Sequence, residues 1–203
     1  MRDVKGRTRM GRFLRVGLGV AISCAVMAVG VTSSVYADDG GGARIRIRDD
    51  CNPKTFNAVL GAGTCVGDGD TTFQAFLGEF LATGDVDRWR FDPSSVSVPR
   101  GGRLEVENEG GETHTFTKVA AFGGGFVPLL NTRPNGAPPL QTVPECGTPT
   151  APNLSAALAA EDSSAPFPNE VHLTGGSSKL PVGTNLFQCC IHPWMHAVVT
   201  VRP

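Results

Sequence analysis

The run from Phe187 to Val201, FQCCIHPWMHAVVTV, sets Cys189, His192 and Met195 at C-x2-H-x2-M spacing and passes directly into the apolar, β-branched stretch Ala197–Val201. A thiolate, an imidazole and a thioether so close together make a soft ligand set, suited to copper more than to magnesium or calcium. One more imidazole would complete a His2Cys site with a weak Met ligand. A fold that uses this loop must therefore return a distant histidine to it. His114, at the end of a second strand-like segment, is the candidate.

The sequence around His114 has a period of two. Trp89 and Phe91 alternate with Arg88 and Arg90; Val96 and Val98 follow a Pro-Ser-Ser turn. Beyond Arg100-Gly101-Gly102, the residues Leu104, Val106 and Asn108 alternate with Glu105, Glu107 and Glu109, giving one apolar and one acidic face. Gly110-Gly111 then turns the chain into Glu112–Thr117. The pattern resumes at Val171-His172-Leu173, and Lys179–Thr184 reads as an edge and turn before a strand from Asn185 to Gln188. Short strands with regular glycine and proline turns indicate an all-β sandwich. Ala43–Arg48, alternating arginine with isoleucine, is expected to be a short edge strand. Between the two halves, residues 118–169 are rich in proline and glycine and read as a long insertion with a short helix over Asn153–Ala160. Loops of this length inside compact domains are generally functional or disordered.

One helix stands out, Thr71–Thr83. Thr71 with Gln74 forms a capping box, Gly84 can end it, and Phe73, Phe76, Leu77, Phe80 and Leu81 make an apolar stripe. It is expected to pack on a sheet and carry no chemistry. The turn-rich Asp49–Asp70 reads as a loop pinned by Cys51 and Cys65. Its Asp68-Gly69-Asp70 lacks the further ligands of an EF-hand and is expected to be a plain turn.

The first 37 residues read as an export signal. Six basic residues from Arg2 to Arg15 precede the uncharged apolar run Val16–Val31, and Val35-Tyr36-Ala37 offers a cleavage site. That run of 16 residues is short of the roughly 20 that span a bilayer, so a retained anchor is the lesser alternative. The signal takes six of the 18 basic residues and one of the 19 acidic ones, leaving 12 against 18, a formal charge of −6. Such a balance disfavours nucleic acid or an anionic membrane surface as partner. Location is expected to be periplasmic or secreted, with no stable membrane insertion after cleavage. The domains are then a signal (1–37), an N-terminal extension (38–84) and the sandwich (85–203, insertion 118–169).

Export implies an oxidising compartment. Five cysteines follow the signal, and an odd count requires a free thiol, an intermolecular bridge or a ligand. With Cys189 as ligand, Cys51–Cys65 is the natural local pair and Cys146–Cys190 the remainder, although four cysteines allow three connectivities. A vicinal Cys189–Cys190 bridge would set adjacent Cα atoms, about 3.8 Å apart, against the wider spacing disulfides adopt.

Trp89–Thr117 and Val171–Arg202, with Phe91-Asp92-Pro93, His114-Thr115-Phe116 and the Cys189-x-x-His192-x-x-Met195 loop, resemble the cupredoxins, and the short ligand loop is most similar to that of amicyanin within the plastocyanin and azurin group. The resemblance implies a Greek-key β-sandwich, here with one N-terminal helix, and a single type 1 blue-copper ion on His114, Cys189, His192 and Met195. It implies a one-electron carrier cycling Cu(I)/Cu(II) with a redox partner protein and no catalytic residues. The electron would pass through an exposed edge of His192, near an apolar rim to which Pro193 and Trp194 could belong; core packing is the equal alternative. Two departures stand out. Thr115 replaces the Asn that often ties the ligand loops together, and Cys190-Ile191 replaces the Thr-Pro of amicyanin's loop.

Zinc could take Cys189, His192 and His114, but it rarely uses Met. His196 is expected to face away from the metal into solvent, and His172 to be an ordinary strand residue. Glu105, Glu107, Glu109 and Glu112 read as a solvated strand face. A copper-handling protein that stores or delivers the ion is the alternative function. A multicopper enzyme would need more than the four histidines present.

Overall fold

The computed structural model describes residues 42–160, 170–173 and 180–203. The expected signal and its cleavage site lie outside them. Twelve strands are described: β1 Ala43–Arg48, β2 Arg90–Asp92, β3 Ser95–Pro99, β4 Leu104–Asn108, β5 His114–Thr115, β6 Thr117–Val119, β7 Gly147–Thr148, β8 Ala151–Pro152, β9 Ala157–Leu158, β10 Glu170–Leu173, β11 Gly183–Gln188 and β12 His196–Arg202. Two helices, α1 Pro53–Leu60 and α2 Phe73–Thr83, accompany them.

Two four-stranded sheets, ordered β10-β4-β1-β2 and β3-β12-β11-β6, form the all-β sandwich. The alternation seen in the sequence sets which side of each strand is buried. Ile45 and Ile47 of β1 and Leu104 and Val106 of β4 turn inward, as do Val96, Val98, Val199 and Val201 of the second sheet. Phe91 of β2 meets Phe116 at 5.2 Å, and Phe116 stacks on Phe187 of β11 at 4.3 Å, so aromatic contact joins the two layers. Aromatic pairs of this kind add about 0.5–1.5 kcal/mol beyond their burial.

Contrary to the expectation of an edge strand, β1 is interior. It runs parallel to β4 (Ile45 opposite Val106) and antiparallel to β2 (Ile47 opposite Phe91). Its arginines thereby meet glutamates of β4 and of the residue just after it: Arg44 pairs with Glu105 at 2.6 Å, Arg46 with Glu109 at 2.8 Å and Arg48 with Glu109 at 3.0 Å. The acidic strand face is thus an ion-pair ladder. Glu112 departs from it altogether: it is buried.

The expected helix forms one residue later at its start. Thr72, not Thr71, is the N-cap, accepting from the Ala75 amide, and Gly84 ends the helix in the left-handed region at φ 86°. Phe76 and Phe80 are buried and Phe73 and Leu77 pack against the core, but Leu81 is exposed. A second helix, α1, occupies what reads in the sequence as loop. Asn52 caps it, Pro53 opens it, and Asn57 clasps the backbone of Cys65 with bonds of 2.8 and 2.9 Å. The fold therefore has two helices between β1 and β2 where one was expected.

Disulfides join Cys51 to Cys65 and Cys146 to Cys190, leaving Cys189 as the free thiol among the described residues. The described part of the insertion is built from proline-initiated 3-10 turns at Pro128–Asn131, Pro134–Gly136 and Pro144–Cys146 and from the small pairs β7–β8 and β5–β9. The helix expected over 153–160 is not formed. Asn153 instead folds a turn onto Ser155, and its amide donates to the Glu145 carbonyl. Residues 161–169 and 174–179 lie outside the described set. His172 pairs with Glu105 through the β10–β4 ladder, as an ordinary strand residue would.

Candidate metal centre

His114 sits on β5, held by its pairing with Leu158 of β9. Cys189 and His192 lie in the loop between β11 and β12. That loop is closed on itself by bonds from the Cys189 amide to the Met195 carbonyl and from the Met195 amide to the His192 carbonyl, both 3.0 Å. The two segments bring three donors together. The Nδ1 atoms of His114 and His192 are 3.3 Å apart, and the Cys189 thiol lies 3.7 Å from the first and 4.0 Å from the second. All three residues are buried. Met195 is buried in the same loop.

These separations fit one first-row ion. Bonds of about 2.0 Å to nitrogen and about 2.3 Å to sulfur in a trigonal arrangement require donor separations of roughly 3.5 Å between nitrogens and roughly 3.7 Å from nitrogen to sulfur. The donor set could hold such an ion with small adjustments.

Thr115 ties the two ligand segments together more completely than its type suggests. Its amide donates to the Cys189 sulfur at 3.4 Å, and its hydroxyl accepts from the Cys190 amide at 2.7 Å. The His192 amide approaches the same sulfur at 3.5 Å. Behind them, buried Asn108 donates to the carbonyls of Glu112, Leu158 and Ala159 and accepts from the Gly110 amide. That one side chain fixes the turn leading into His114 and the strand paired with it.

Two carboxylates back the imidazoles, and sequence reasoning missed both in this role. Asp49 accepts from His114 Nε2 at 2.9 Å and from the amides of Cys51, Gly111 and Glu112 at 3.0–3.1 Å. A Cβ at Gly110 would fall on this carboxylate, so the turn needs glycine there. Glu112 lies 3.8 Å from His192 Nε2 and accepts from the Trp89 indole at 2.7 Å. Its i, i+2 relation to His114 in an extended segment is the one available sequence signal. Nothing local links Asp49 to His114, 65 residues away.

The electrostatics follow from this packing. Burial pushes the Asp49 carboxyl up, but the His114 hydrogen bond and charge and the backbone amides outweigh it and hold the pKa at about 2. Burial disfavours a charged His114, yet the bonds to Asp49 and Cys189 raise its pKa to about 10. Desolvation opposes the Cys189 thiolate, but His114 and His192 bring its pKa well below the usual thiol range. Burial raises that of Glu112. A thiolate is the form that binds metal, and a carboxylate behind an imidazole fixes the tautomer with the inner nitrogen free.

His192 is not exposed. Only 3% of its surface is accessible, and the α2 residue Phe76 meets its ring edge-on at 6.2 Å. Trp194 packs on His192 at 5.3 Å and on Phe80 at 5.2 Å, which places it on the core side. Pro193 is buried beside it. The exposed imidazole edge expected from the sequence is therefore covered, and α2, expected only to pack on a sheet, forms part of the cover. His196 leaves the cluster and stacks on Phe122 at 3.9 Å, where partial burial lowers its pKa. It is half-buried rather than solvated.

No family model matches the chain, and no curated protein does. Among solved structures it is similar to a purple cupredoxin from Nitrosopumilus maritimus, with 12% identity over 78% of this chain and 98% of that one and a TM-score of 0.35. An oxidized plastocyanin from Dryopteris crassirhizoma is 17% identical over 79% and 100% of the two chains, TM-score 0.36. A reduced-state amicyanin mutant is 18% identical over 60% and 82%, TM-score 0.30. At such identities and TM-scores these likenesses carry no argument about this chain's fold, ligands or activity.

Proposed function

We propose that this chain is an exported copper protein that carries one electron, with His114, Cys189 and His192 holding the ion and Met195 as its weak fourth ligand. The observation that carries the reading is the convergence of two imidazole nitrogens and one thiol of lowered pKa within 4.0 Å of one another, all three residues buried. A thiolate beside two imidazoles selects copper or zinc, and the loop methionine favours copper.

When bound, copper would supply a reversible Cu(I)/Cu(II) couple. The protein's own residues do the rest. Asp49 keeps the His114 ring in one tautomer, and the Thr115 amide presents a hydrogen bond to the sulfur. Asn108 and the Cys146–Cys190 disulfide limit movement of the two ligand segments. A frame that holds its ligands nearly fixed asks for little rearrangement when the charge changes. Phe76 and Trp194 pack against the His192 ring.

Burial of His192 favours one second reading, a copper-handling protein that stores or delivers the ion from a closed site. Among the described residues no helix is long and apolar enough to cross a membrane; export and a redox partner protein belong to the proposal. Voltammetry of the copper-loaded chain, with stopped-flow reduction and reoxidation, tests the carrier. A reversible one-electron wave with retained copper supports it. Loss of copper to an apo-acceptor on reduction supports the handler.

A further inference from the structure

An apolar cavity of about 300 Å³ lies beside the cluster of His114, Cys189 and His192, with His192 in its wall. Phe56 of α1 and Phe73 and Phe76 of α2 line it, and Glu112 and His192 supply polar atoms. Leu60 and Leu129, 50% and 53% exposed, also line it and mark where it meets solvent. The cavity thus reaches from the surface to the outer edge of an imidazole whose inner nitrogen faces the cluster.

We propose that this cavity is a binding site for a small neutral aromatic molecule bearing a hydroxyl group, a phenol in chemical class, with the ring among the phenylalanines and the hydroxyl toward Glu112 and His192. The size fits: an apolar cavity of roughly 150 Å³ takes up benzene, so the volume here admits one ring with its substituents or two small rings. Aromatic walls favour an aromatic guest through edge-to-face contacts. Glu112, which accepts from Trp89, and His192 Nε2, 3.8 Å from that carboxylate, put hydrogen-bonding groups at one end that a hydroxyl can engage and a purely apolar guest cannot. Charge narrows the class. An ammonium would face the metal held on the other side of His192, and a carboxylate would face Glu112. This charge argument rests on the metal reading above; the size and lining do not. The ligand would touch the cluster through His192, the edge that the two helices deny to a macromolecular partner.

The test is calorimetric titration of the full-length chain, metal-free and copper-loaded, with phenol, benzylamine and benzoate, and with Leu129→Trp and Glu112→Gln variants. Phenol is expected to bind at one saturable site, at least about tenfold more tightly than either charged probe. Leu129→Trp, which adds bulk at the exposed mouth without touching the cluster, should weaken phenol about tenfold or more while leaving any thiolate-to-copper absorption band unchanged. Glu112→Gln, which keeps an acceptor for Trp89, should weaken it by a smaller factor. In the copper-loaded chain, phenol should shift that band. Saturable phenol binding in a chain that gives no such band supports the cavity and removes the copper reading. A strong band with no saturable phenol binding, with binding unaltered by Leu129→Trp, or with benzylamine preferred overturns the cavity proposal and leaves the metal site standing.

Discussion

A carboxylate buried against the outer nitrogen of an imidazole decides what the inner nitrogen can do, and Asp49 holds that position behind His114. Asp49→Asn would keep the shape and lose the charge. Breaking a charge-assisted bond of this kind costs about 1.5–3 kcal/mol of stability. In the copper-loaded protein it should also raise the reduction potential, because a lost negative charge favours the less positive oxidation state. The same residue sets an acid limit. Its folded pKa of about 2 lies below the ordinary 3.8, so its contribution is present above pH 3.8 and disappears as pH falls through 2. That is on the order of 2 kcal/mol. Urea midpoints of the metal-free protein should therefore fall across this window, and the Asn variant should lack that part of the slope. A variant with the wild-type slope would show that Asp49 is not the group responsible. At this scale the three clustered side chains were legible in the sequence because two share a short loop and the third follows a strand of clear alternation. Asp49 was not, since its partner is set by the pairing of β1 with β4. Glu112 was misread because alternation cannot say where a strand leaves the surface.

Among the elements, α2 does more than cover a sheet. Phe76 contacts Phe56, Trp89, Trp194 and His192. Phe76→Ala should cost about 3–5 kcal/mol through the void it leaves, and opening the cover over His192 should speed copper loss to a chelator. Unchanged release despite the lost stability would mean the helix does not gate the site. Thr72→Ala, removing only the cap, should cost about 1 kcal/mol, as read by thermal unfolding. The stripe of phenylalanines made α2 visible in the sequence; two adjacent threonines left its start open by one residue. The eight-residue α1 carries too short a pattern to be separated from a turn-rich loop, although Asn52-Pro53 is a cap followed by a proper first-turn residue. Interior placement of β1 depends on strand order, which follows from long-range pairing that local alternation does not encode.

For the molecule as a whole, the Cys146–Cys190 disulfide fastens the insertion to the residue after Cys189. Closing a loop with a sequence separation of 44 residues stabilises by about 4 kcal/mol on the chain-entropy account. A Cys146→Ser/Cys190→Ser double variant should lose stability on that scale yet still bind copper, since neither sulfur belongs to the cluster. The odd cysteine count made this arrangement arguable from sequence, because one cysteine had to remain apart. The cover over His192 was not arguable, because it is assembled from helices and a loop that are far apart in the chain. The central claim is that His114, Cys189 and His192 together hold one copper ion. Stepwise addition of Cu(II) to the full-length protein, followed by visible spectroscopy, tests it most directly. The account expects an intense thiolate-to-copper band that saturates at a single equivalent, vanishes in Cys189→Ser and survives in the Cys146→Ser/Cys190→Ser variant. A colourless protein, or a band that persists without Cys189, would contradict it.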